Sequence, residues 1–297
     1  MSTYILVAGD AGIDNLLALA GSDSVAVVAG SREVADAVAA SGVGAVKWLG
    51  EPGDTPLEAF APAAAQVVAE GAPDIILATT RGADRVLLGA AAAKVGAPIF
   101  KMASDVKHEG DTTTVTRSVY GGVAQNTVEV HGPVALLMEP GAPATGGSAA
   151  VEEVAGAPLE GVTITERRPA DHDSVDLTQA AKVVAVGRGL KKQEDLPLIQ
   201  GLADALGAEV ACSRPLAEGL DWFPHDSYVG VTGQHVSPDL YVAVGISGQL
   251  QHTVGARGAK TVVVINSDKE APYVQEADYA IIGDLYSVVP ALTAALK

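Results

Sequence analysis

The chain has 297 residues, 48% of them hydrophobic and 19% charged, which is enough apolar material for a sizeable core and a length that favours two domains over one. Its net charge of −17 is spread over both halves, and an acidic surface without clustered Lys and Arg argues against a nucleic-acid partner. The single cysteine, Cys212, excludes within this chain a disulfide framework, a cysteine-based zinc site and a cysteine-ligated iron–sulfur cluster, so a redox role requires a bound organic cofactor.

From Met1 to Gly12 there is neither the basic start nor the cleavage site of a signal peptide, and no apolar run approaches membrane-spanning length. The expected location is cytoplasmic, with no membrane insertion. Thereafter short β-branched runs at 4–8, 24–28, 45–49 and 74–78 alternate with Ala-rich helical patterns at 14–20, 31–40, 56–70 and 83–94. That alternation predicts a parallel sheet covered by helices, and the nearly continuous apolar character of the runs fits strands buried on both faces. Past Pro98, runs at 113–119 and 124–130 alternate and are split by Gly121-Gly122, which predicts an antiparallel hairpin at the end of the sheet.

Residues 139–150, EPGAPATGGSAA, have no periodicity and read as a linker. A segment at 161–168 reads as a returning edge strand of the first domain. A second series then begins: strands at 183–186, 209–212, 241–245, 261–265 and 279–282, and helices at 196–206, 249–255 and 287–296. The expected fold class is α/β, with two doubly wound parallel-sheet domains at 1–170 and 171–297. No internal sequence repeat stands out.

Three strands of the second series end in polar, backbone-permissive turns: Gly187-Arg188-Gly189, Gly245-Ile246-Ser247-Gly248 and Asn266-Ser267-Asp268. Ligands of open parallel sheets bind outside the carboxyl ends of the strands. The Ser247 hydroxyl is placed to cap the following helix, whose first amides then face a phosphate, and Arg188 supplies a cation. The alternative is a set of ligand-free caps and tight turns. Lys192 replaces the third glycine of a dinucleotide fingerprint and Gln249 the last glycine of a nucleophile elbow, so neither motif is complete. His252, five residues after Ser247, reads equally as a packed helix residue. Cys212 follows an apolar run and reads as a small buried residue.

LYVAVGISGQLQH at 240–252, followed by KTVVVINSDKEAPYVQEADYAIIGDLYSVVPAL at 260–292, resembles the C-terminal signature of the electron transfer flavoprotein alpha subunit, including its FixB-type members. VGRGLKKQEDLPLIQGLADALGAEVACSRP at 186–215 fits as well. The resemblance implies a Rossmann-like second domain holding FAD, and a nucleotide-hydrolase-like first domain set against a beta subunit. It places Arg188, Ser247, Asn266 and Asp284 at positions contacting phosphate, ribose and adenine. Ser213, Arg214, Val229, Gly230, Val231, Thr232, Gln251 and His252 fall around the pyrophosphate and isoalloxazine, and Gly248, Gln249, Leu250 and Leu285 complete the set. His252 would then donate to O2, where reduction develops negative charge, with Arg214 over the ring and Thr232 offering its hydroxyl to N5. Val231 stands where many members carry Gln. The implied function is that of a carrier without substrate chemistry of its own. It would pair as a heterodimer with the beta subunit and pass electrons from a flavin dehydrogenase of the acyl-CoA dehydrogenase type, as in fatty acid β-oxidation, to a quinone oxidoreductase or another acceptor. The alternatives are a subunit of an electron-bifurcating complex and, from another class, a nucleotide-binding regulatory protein.

Overall fold

A computed structural model describes residues 1–167 and 177–296. Its contacts divide the chain into two compact units, Met1–Arg167 and Arg168–Lys297. The boundary expected at 170/171 lies outside the described residues.

The first unit contains strands β1 (Thr3–Ala8), β2 (Val25–Ala29), β3 (Ala45–Trp48), β4 (Ile75–Thr79), β5 (Ile99–Lys101), β6 (Ala103–Glu109), β7 (Thr112–Val119), β8 (Ala124–His131), β9 (Val134–Met138) and β10 (Val151–Glu153). Its helices are α1 (Asp14–Ala20), α2 (Arg32–Ala39), α3 (Ala61–Glu70) and α4 (Gly82–Val95). Seven strands form a wholly parallel sheet in the order β10-β3-β2-β1-β4-β9-β5. The strand β1 shows why its sequence is apolar throughout: Tyr4, Leu6 and Ala8 enter one core cluster and Ile5 and Val7 the other. Ser31 caps α2 by accepting from the Val34 amide, and Gly96 ends α4 in the left-handed conformation at φ 73°.

Three expectations change here. The hairpin β7–β8 gains a third strand, β6, and forms a separate antiparallel sheet instead of extending the parallel one. Residues 139–150 are not a linker between the units; they lie along the first unit, with the Gly147 amide donating to Ala40 O at 2.8 Å and the Ala149 amide to Ala39 O at 3.0 Å. That strap delivers the edge strand, which is β10, paired in parallel with β3. Residues 161–167 form no strand, although the Ile164 amide reaches Asp54 O, and residue 168 lies outside the described residues.

The second unit runs β11 (Lys182–Val186), α5 (Leu196–Leu206), β12 (Glu209–Ser213), α6 (Arg214–Glu218), β13 (Tyr228–Val229), β14 (Leu240–Val244), α7 (Leu250–Thr253), β15 (Val262–Asn266), α8 (Pro272–Glu276), β16 (Tyr279–Ile282) and α9 (Leu285–Leu296). Its sheet is parallel in the order β13-β12-β11-β14-β15-β16, which is 3-2-1-4-5-6 in the unit's own strands, the order of dinucleotide-binding sheets. Val184 and Val186 pack on one face, Val183 and Ala185 on the other. Among the described residues no helix is long and apolar enough to cross a membrane.

Candidate functional site

Strand order in the second unit reverses between β11 and β14, and the turns that follow these neighbours meet there. The Gly189 amide donates to Gly245 O at 3.0 Å. A Cβ built on Gly187 would sit 2.5 Å from Gly245 O, and one on Gly189 would sit 2.6 Å from Gly245 Cα. Glycine at 187 and 189 therefore serves close backbone approach, which only hydrogen permits. Gly245 also turns at φ +63°, a conformation costly for any other residue.

A cavity of about 630 Å³ opens over these turns, within the range of small-molecule sites. The carboxyl ends of five of the six strands contribute to its wall: Arg188 beyond β11; Ser213 and Arg214 at the end of β12; Val229, Gly230, Val231 and Thr232 at the end of β13; Ser247, Gln249, Gln251 and His252 beyond β14; and Asn266 at the end of β15. The other four expected residues are not brought to it. Gly248 is packed against Tyr273, Leu285 lies in the core, Leu250 is exposed, and Asp284 accepts from the Tyr286 amide at the start of α9. Tyr228, Pro215 and Ala271 line the cavity without having been singled out, along with Asp268 and Ile246 from turns that had been. The strand β13 is two residues long, too short to produce a pattern that would have marked Tyr228.

Ser247 does not cap a helix. The turn continues two residues further, Gln249 precedes α7 without a side-chain bond, and α7 has only four residues before a 3-10 turn at Val254–Ala256. Gly248 explains the delay, because its backbone at φ +83° is pressed against Tyr273, whose amide donates to Ser247 O at 3.2 Å. The expected Ser247 cap is thus replaced by an irregular turn ahead of α7.

The polar side chains divide into pinned and free groups. Asn266 is pinned: its Nδ2 donates to Ile246 O at 2.9 Å and its Oδ1 accepts from the Asp268 amide at 3.0 Å, which ties the β14 and β15 turns together. Nε of Arg214 is engaged by Glu218, whose other oxygen lies 3.0 Å from His225 Nε2, and this pairing holds the Glu218 carboxyl below its ordinary range. The Tyr228 hydroxyl donates to Thr232 O at 2.9 Å, with Thr232 Oγ1 at 3.2 Å, so the Thr232 hydroxyl keeps its own hydrogen to give. Arg188 is exposed and makes no ion pair among the described residues.

His252 is 7% exposed, and its Nε2 lies 2.9 Å from the Tyr241 hydroxyl while Nδ1 is buried with no hydrogen-bond partner among the described residues. Burial lowers its pKa to about 4; the Val229 backbone opposes this more weakly, without meeting Nδ1 in hydrogen-bonding geometry. The imidazole is therefore neutral at pH 7. Behind the wall, burial pushes the Cys212 thiol up to about 12, as suits an inert core residue.

Comparison with known proteins gives two family matches, described as the electron transfer flavoprotein domain over residues 16–166 and the electron transfer flavoprotein FAD-binding domain over 176–257. Protein FixB of Salmonella typhimurium is 39% identical over 263 residues, covering 84% of this chain and 83% of its own. The chain belongs to the electron transfer flavoprotein alpha-subunit family. Protein FixB of Escherichia coli O6:K15:H31 is likewise 39% identical, over 84% of this chain and 82% of its own. Among solved structures, a chain from Mycobacterium smegmatis aligns with all of this chain and 60% of its own length, at 15% identity and a TM-score of 0.26, too distant to argue from. Within the family match, 176–257 takes in the cavity turns after β11, β12, β13 and β14, while Asn266 and Asp268 lie beyond it.

Proposed function

We propose that this electron transfer flavoprotein alpha-subunit relative binds FAD in the cavity of its second unit and works as a heterodimer with a beta subunit. In that assembly it carries electrons from a flavin dehydrogenase of the acyl-CoA dehydrogenase type to a quinone oxidoreductase or comparable acceptor. It transforms no substrate itself. The observation that carries the reading is the cavity at the switch point of a 3-2-1-4-5-6 sheet, walled by glycines that only close backbone approach explains.

The residues present fit the group. Bound FAD would supply a ring that takes up and passes on electrons singly. Arg188, exposed and without an ion pair among the described residues, has its guanidinium available to phosphate oxygens. Arg214, held through Nε by Glu218, keeps its two terminal nitrogens for the cavity. The Thr232 hydroxyl and the orphaned Nδ1 of His252 are polar atoms whose partners a cofactor would provide. His252 meets the ligand neutral, so it adds no charge there, and its Nδ1 donates or accepts according to its tautomer.

The test is to co-express the chain with an electron transfer flavoprotein beta subunit, purify the complex and measure flavin released on denaturation. About one FAD per alpha chain in this site is expected, in addition to any flavin carried by the partner. A complex that accepts FAD no better after Arg188 and Thr232 are restored from alanine than before would sink the assignment of the cavity.

A further inference from the structure

We propose that Tyr241 is a positioning residue for this cavity: its buried hydroxyl donates to Nε2 of His252 and so leaves the ring proton on Nδ1, as a donor for the bound cofactor. The inference deepens the FAD reading and rests on it.

Tyr241 lies on β14 with none of its surface exposed, and its hydroxyl has a single partner among the described residues, Nε2 of His252 at 2.9 Å. The imidazole meets a second ring, and the backbone that carries it is anchored. The Tyr273 ring meets it edge-on at 6.0 Å and 76°, and the His252 amide donates to Gln249 O at 2.8 Å. The ring is thereby fixed, and only the place of its proton remains to be decided.

A neutral imidazole has one N–H, and there are two ways to arrange it. If Nε2 carries the hydrogen and donates to the tyrosine oxygen, then among the described residues the phenolic hydrogen has no acceptor and Nδ1 presents a bare lone pair with no donor. Two buried groups are then unsatisfied. If the tyrosine donates instead, its hydrogen is used, Nε2 accepts, and among the described residues Nδ1–H is the sole group left over, with the Val229 backbone near the ring but short of a hydrogen bond to it. Buried polar groups favour the arrangement with fewer unmet partners. The remaining N–H belongs to a residue of the cavity wall. There it is suited to an acceptor that gains negative charge on reduction, with no proton having to be taken up first.

The direct test is ¹⁵N NMR of the full chain labelled at histidine, with the His252 signals identified by their loss in His252→Gln. A proton on Nδ1 is expected, and Tyr241→Phe should move part of the population to Nε2. A proton resident on Nε2 in the parent protein overturns the proposal whether or not FAD binds. The second readout is the flavin midpoint potential of the FAD-loaded heterodimer. Tyr241→Phe and His252→Ala should each lower it, and the double variant should fall no further than His252→Ala alone. Additive shifts, or an unchanged potential in Tyr241→Phe beside a lowered one in His252→Ala, overturn the positioning role. An unchanged potential in His252→Ala overturns it too, and with Nδ1 still protonated that failure belongs to the placement of His252 against the flavin.

Discussion

At the scale of single residues, the exposed Arg188 of the cavity and the buried Asp84 of the first unit each make a measurable demand. Arg188→Ala removes a charge-assisted contact worth about 1.5–3 kcal/mol, so FAD affinity should fall roughly ten- to a hundredfold with the bound flavin spectrum unchanged. Equilibrium titration of the apoprotein checks this, and parental affinity would remove Arg188 from the site. Asp84 is 1% exposed and accepts from the Ala8 amide at 2.6 Å and from the Thr79 hydroxyl, yet burial outweighs both and raises its pKa to about 6. For a raised carboxyl, the folded state holds the proton more tightly than the unfolded one. Its stabilising contribution is present below the ordinary value near 3.8 and is lost as pH rises through about 6, on the order of 3 kcal/mol in all. Asp84→Asn should therefore flatten the fall in stability between pH 4 and 6.5, as measured by urea denaturation; an unaltered slope would contradict the assignment. No residue pattern in the sequence announces Asp84, because its perturbation arises only when β1 and β4 are brought side by side. Likewise Tyr241 reads as one more apolar strand position until His252 folds back over it.

At the scale of elements, the alternating strands and helices were legible because every strand position is needed on one face or the other. The three polar turns were legible because glycine and short polar residues punctuate them. Elements too short for a period escaped: β13, β5 and the edge strand β10. The strap at 139–150 was misread because chain that lies on a surface and chain that links domains share the same Pro- and Gly-rich composition. Two glycines of the second unit should respond oppositely to alanine. At Gly245 the new Cβ would lie 2.8 Å from Gly189 Cα at a φ of +63°, so Gly245→Ala should cost roughly 2 kcal/mol or more and weaken FAD binding by parting the two turns. In α5, a Cβ on Gly201 meets nothing within 4 Å, and Gly201→Ala should stabilise by about 0.5–1 kcal/mol. Thermal denaturation of both variants tests the contrast, and a neutral Gly245→Ala would mean the turns can separate without cost.

At the scale of the whole molecule, the two units carry opposite pH dependence from the buried groups whose shifted titrations fall between about pH 4 and 6.5, Asp84 in the first and His252 in the second. The His252 contribution is present above the ordinary value of 6.5 and is lost as pH falls through about 4, the reverse of Asp84. The two tryptophans report on the units separately, since Trp48 lies in the first and Trp222 in the second. Followed in single-tryptophan variants from pH 4 to 6.5, the first unit's midpoint should fall relative to the second's, and parallel curves would show that other groups dominate. FAD present at a hundredfold its dissociation constant should add about 2.7 kcal/mol to the state that binds it. The central claim is that the switch-point cavity of the second unit is the seat of the flavin, and an experimental structure of the chain purified with its beta subunit and FAD tests it most directly. The predicted result is FAD lying over the 187–189 and 245–252 turns, phosphates toward Arg188 and ring toward Thr232 and His252. Flavin bound clear of those turns, or over the first unit's sheet, would contradict it.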